Sequence, residues 1–127
     1  MTDSVRDIAL KCKQAAVAVA ELDTQAKNAL LHAMADELDA QTDKVLAANA
    51  EDMQAARESD TDEAFLDRLA LDETRLKGVA DALRFVASLP DPVGQVTQSE
   101  TSDKGFTIEH VRVPLGVISM IYEARPN

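Results

Sequence analysis

The six residues "YEARPN", running from Tyr122 to Asn127, bring together the side chains in this sequence best suited to chemistry. Asn127 follows a proline and would sit just past the end of the apolar run "GVISMIYE", where open α/β sheets present their ligand sites. Its side-chain amide could donate a hydrogen bond to an oxyanion. Arg125 could grip a phosphate or carboxylate through paired N–H groups. Glu123 could serve as a base or simply pair with Arg125. The plainer alternative is a turn at Pro126 and Asn127 with Arg125 facing a surface acid, and residue chemistry by itself favours it.

The other reactive residue types are more isolated. Cys12, the single cysteine, falls on the apolar stripe of a first helix, which suits packing better than nucleophilic attack. Neither histidine stands near it in sequence. His32 lies in a helical stretch as a surface or boundary residue, and His110 lines a strand. Two histidines and one cysteine without paired ligand spacing make no metal site. The four glycines, at 78, 94, 105 and 116, never form the G-x-G-x-x-G pattern of a phosphate-cradling loop.

Two stretches of different periodicity must position these groups. From Ser4 to Leu89 the apolar residues recur at helical steps. Val5, Ile8, Ala9, Cys12, Ala15, Ala16 and Val19 form one stripe. Asp23 or Thr24 can cap a second helix carrying Leu30, Leu31, Met34 and Leu38. A third begins near Thr42 and aligns Val45, Leu46, Asn49, Met53 and Ala56. Thr61 is the expected cap of a short helix ending near Leu69. Asp72 opens a last helix that turns Leu76, Val79, Leu83 and Val86 inward, with Gly78 allowing close packing. At "LPDPVGQV" the helical period stops, because Pro90 and Pro92 cannot continue it. The segments around Gly94–Thr101 and Gly105–Val113 can pair through a turn at "SDKG". The apolar phase shifts after His110, from Phe106 and Ile108 to Val111, Val113 and Leu115, which calls for a bulge or a change of sheet. "PLGV" reads as a bend. "GVISMIYE" reads as a strand covered on both faces. A helical half, a hairpin and one covered strand form the front of a larger α/β protein rather than a complete domain.

The chain has 127 residues, 46% apolar and 28% charged, a globular and not a disordered profile. Its net charge is −10. Residues 101–127 carry three bases and three acids, so of the 13 bases and 23 acids in the whole chain, ten and twenty fall in residues 1–100. Such an acidic surface argues against nucleic-acid and anionic-membrane partners. No apolar run is long enough to span a bilayer, and the N-terminus lacks the pattern of a signal peptide. A cytoplasmic setting is expected.

"LDRLALDETRLKGVADALR", "LPDPVGQV" and "RVPLGVISMIYEARPN", together with "ADELDAQTDKVLAANAEDMQAAR", strongly resemble the γ-glutamyl phosphate reductase (glutamate-5-semialdehyde dehydrogenase) family of the aldehyde dehydrogenase superfamily. Ser119 and Met120 depart from the pattern, standing where a small-residue pair such as Gly-Val is expected. The resemblance implies NADPH-dependent reduction of L-glutamyl 5-phosphate to L-glutamate 5-semialdehyde and phosphate, in proline biosynthesis. A cysteine thiolate attacks the acyl phosphate, phosphate leaves, and hydride reduces the thioester. It further implies that Asn127 helps form the oxyanion hole, that Glu123 and Ala124 contact the cofactor, and that Arg125 serves the anionic substrate. The family's nucleophile lies downstream, so this chain alone is expected to be inactive. The implied architecture is α/β: a helical N-terminal segment at 1–89, then at 90–127 a hairpin of the kind used for homo-oligomer contacts and the first strand of the NADP-binding domain. Two other readings compete. One is a stand-alone assembly or binding module, and the other is a different aldehyde dehydrogenase, against which "YEARPN" in place of a Pro-Trp-Asn ending argues.

Overall fold

A computed structural model of the chain describes residues 4–59 and 61–121. Along them run α1 (Val5–Ala20), α2 (Thr24–Ala40), α3 (Thr42–Glu58), α4 (Glu63–Leu69), α5 (Glu73–Ser88), β1 (Val96–Thr101) and β2 (Thr107–Val111). The helices and strands fall into two units. One takes the chain up to Thr24 together with Pro90–Ser119, and the other is built on Gln25–Leu89.

The second unit holds the core. The stripe expected on α3 is in place: Val45, Leu46, Met53 and Ala56 are half-buried, and Asn49 between them is buried. On α5 the buried residues are Leu76, Ala80 and Ala87, with Val79 and Leu83 half-buried. Val86, expected inward, is 49% exposed. The steps 76, 80, 83 and 87 follow the helical period closely, whereas Val86 lies about 90° round the helix from the centre of that stripe. On α2 the same geometry buries Ala35 and half-buries Leu31 and Leu38. Leu30 and Met34, a step to one side, remain exposed.

Helix starts follow capping chemistry. Ser4 and Asp7 form a reciprocal capping box on α1. Asp72 Oδ1 accepts the Arg75 amide at 2.6 Å, as the sequence suggests. The short α4 is capped by Asp62, whose Oδ1 accepts the Phe65 amide at 2.9 Å, and not by Thr61. A carboxylate there also meets the positive end of the helix. Thr61 instead lies 3.1 Å from the Ser59 hydroxyl.

The connector from α4 to α5 is held by two side chains. Asn49 Nδ2 donates to the Leu69 carbonyl at 2.9 Å, and its Oδ1 accepts the Leu71 amide at 2.8 Å. The bonds run in both directions, so one buried amide serves this stretch of chain as a neighbouring strand would. From α5, Arg75 Nη1 donates to the carbonyls of Asp67 (2.5 Å) and Ala70 (2.8 Å), while Nη2 reaches the Asp67 carboxylate at 3.0 Å. Gly78 has nothing within 4 Å of where a Cβ would stand, so the expected close packing at that glycine does not occur.

In the first unit α1 carries its apolar stripe in the open. None of its residues is buried, Val5 is 85% exposed, and Cys12 is exposed rather than packed. A helix hides such a stripe only against another apolar surface, and here only Ala16 is even half-buried. Thr24 Oγ1 donates to Asp91 Oδ2 at 3.0 Å, tying the end of this stretch to the start of the hairpin. Strands β1 and β2 pair antiparallel, from Val96 opposite Val111 to Thr101 opposite Thr107. The turn is the expected "SDKG": Gly105 donates to the Ser102 carbonyl at 2.8 Å, and its φ of 85° is one that glycine alone adopts freely. The register breaks opposite the step from His110 to Val111, where the apolar phase shifts, but the extra residue is Thr97 in β1. Its hydroxyl donates to the His110 carbonyl at 3.2 Å. Every position of both strands is exposed.

Beyond β2, "PLGV" does bend, with Gly116 at φ 82°. The covered strand expected from "GVISMIYE" is absent over the described residues 116–121, which carry no regular secondary structure. Leu115 is 87% exposed and Ile121 99%. A strand needs a hydrogen-bonding neighbour, and the only sheet among the described residues is the hairpin.

Candidate functional site

The four residues singled out from the sequence, Glu123, Ala124, Arg125 and Asn127, lie outside the described residues. What the structure places is the segment leading to them, an open and apolar run through Val117, Ile118, Met120 and Ile121. Such a surface becomes a site only when other chain closes around it, because oxyanion stabilisation depends on donors held in a water-excluded pocket.

The described residues offer no alternative catalytic cluster. Among them no three His, Cys, Asp or Glu side chains are arranged to hold a metal ion. Cys12 stands exposed on α1, His32 is exposed on α2, and His110 is exposed on β2. No helix among them is long and apolar enough to cross a membrane.

Two features that sequence reading did not find lie on α2 and α5. Arg84 Nη2 contacts Asp36 Oδ1 and Asp39 Oδ2, each at 2.7 Å, and Nη1 reaches Asp81 at 3.4 Å. These hydrogen bonds, first to Asp36 and then to Asp39, raise the arginine's pKa above its ordinary value. One guanidinium thereby gathers three of the chain's excess acids. The i, i+3 spacing of Asp36 and Asp39, on the helix that α5 lies beside, was the available signal. The second feature is a groove of about 540 Å3 lined by Leu30, Ala33, Met34, Glu37, Leu38, Gln41 and Leu83. Its polar side chains are occupied with each other, Gln41 Nε2 donating to Glu37 Oε1 at 2.9 Å. Without convergent polar groups the groove is unsuited to a dinucleotide or an acyl phosphate.

In class, the described architecture is a helix-rich piece of an α/β protein. Solved γ-glutamyl phosphate reductases are built the same way over this stretch. The enzyme from Thermotoga maritima matches with a TM-score of 0.83 and 35% identity, over 88% of this chain and 27% of its own. The Saccharomyces cerevisiae enzyme matches at 0.80 and 26% identity, over 90% of this chain and 29% of its own. Curated relatives carry the same name. The γ-glutamyl phosphate reductase of Xanthomonas axonopodis pv. citri is 55% identical over 124 residues, and that of Xylella fastidiosa is 54% identical over 123. These matches take in 98% and 97% of this chain but only 30% and 29% of the relatives, so the chain spans about a third of the length of the proteins it matches. No family model matches. The resemblance carried by "PLGVISMIYEARPN" and the helical blocks is thus found along almost the entire chain.

Proposed function

We propose that this chain serves as the N-terminal part of a γ-glutamyl phosphate reductase that reduces L-glutamyl 5-phosphate to L-glutamate 5-semialdehyde and phosphate, a step of proline biosynthesis in the cytoplasm. The observation that carries the reading is the 55% identity over 124 residues to a protein of that name. In this reading residues 1–89 are a helical segment, and residues 90–127 supply a hairpin for contacts between subunits and the first strand of the cofactor domain. Asn127 holds the acyl oxygen through its amide N–H as negative charge develops there. Arg125 orients the anionic substrate, and Glu123 and Ala124 border the cofactor. NADPH supplies the hydride when bound. In this reading the nucleophilic cysteine comes from elsewhere in the enzyme, as the resemblance implies, and Cys12, the only thiol here, stands exposed on α1 without that role.

The test is a chimera in which this chain replaces the matching segment of the Xanthomonas axonopodis reductase. It should reduce glutamyl phosphate at a rate near that of the parent, and Asn127→Ala should lower turnover by about 100- to 1000-fold. The isolated chain should give none above buffer. A folded chimera that is inactive would sink the reading, and an Asn127→Ala chimera of full activity would sink the role of that residue. A second reading, an assembly module without catalysis, draws on the apolar exposure of α1 and of residues 113–121. It requires that the isolated chain form a discrete oligomer whose size depends on concentration in sedimentation.

A further inference from the structure

We draw no further inference here: the strongest candidate, the apolar groove between α2 and α5 lined by Leu30, Met34, Leu38 and Leu83, is an unpartnered face, and nothing in the structure shows what covers it.

Discussion

Replacing Asn49 should loosen the corner between α4 and α5 even where the replacement keeps the side chain's volume. Its amide makes two hydrogen bonds with the connector, one as donor to Leu69 and one as acceptor from Leu71. Each is worth about 0.5–1.5 kcal/mol net, and more when the abandoned backbone group stays out of water. Leu69 and Leu71 are half-buried, so part of that loss is recovered by hydration. The expected cost of Asn49→Leu, which keeps the volume and removes both bonds, is therefore about 1–3 kcal/mol. In urea this moves the unfolding midpoint down by roughly 1 M, given slopes of about 1–3 kcal/mol per M for small domains. Asn49→Asp separates the two bonds. The carboxylate keeps the acceptor facing Leu71 but presents an oxygen to the Leu69 carbonyl, so at neutral pH it should be no better than Asn49→Leu. Protonation restores a donor to the Leu69 carbonyl, so the deficit should shrink as pH falls, burial and that facing carbonyl both disfavouring the ionised form. A leucine variant as stable as the parent would refute the bracing role. An Asn49→Asp deficit unchanged with pH would refute the assignment of the Leu69 bond.

Three further outcomes can be measured on the same chain. Gly78→Ala should stabilise it by about 0.5–1 kcal/mol, since the site is helical and a Cβ there meets nothing, and a lower melting temperature would contradict that geometry. Leu76→Ala removes the largest buried apolar side chain among the described residues, 5% exposed, and should cost about 2–5 kcal/mol by denaturant titration. The Asp7 carboxylate is held below its ordinary pKa by the Ser4 side chain and then the Ser4 backbone. Its support of α1 is therefore complete above the unfolded-state pKa of about 4 and lost as pH falls through the lower folded value. Cα chemical shifts of residues 5–8 should remain helical down to about pH 5 and lose helicity only under more acid conditions, a step absent in Asp7→Asn.

Periodicity was most informative where one face of a helix is buried and the other wet. On α3 it placed even the polar Asn49 on the inward side, although nothing in the sequence shows which carbonyl and amide that side chain would meet some twenty residues later. On α5 it was ambiguous because small and large apolar residues alternate around the helix, and burial followed Ala80 and Ala87 over Val86. The stripe of α1 was legible as a pattern, but a pattern does not name the surface that covers it. The "SDKG" turn and the register break were readable because glycine and alternation are local signals. Which strand carries the extra residue was not. "GVISMIYE" has the composition of a covered strand, yet strand geometry rests on neighbours that local sequence does not specify. Glu123, Ala124, Arg125 and Asn127 lie outside the described residues, and their proposed roles rest on the resemblance alone.

The buried positions Ala35, Ala80 and Ala87 have a consequence for how this unit can change over time. A methyl group contributes little apolar area, so these residues act less as glue than as spacers that fix how near one backbone comes to another. Enlarging any of them forces helices apart, at about 1–3 kcal/mol for each overpacked site. Trimming one leaves a void with few ways to refill it. Substitution should thus be narrower at these three inconspicuous residues than at Leu30, Met34 or Phe85, whose bulk projects outward and sets no spacing.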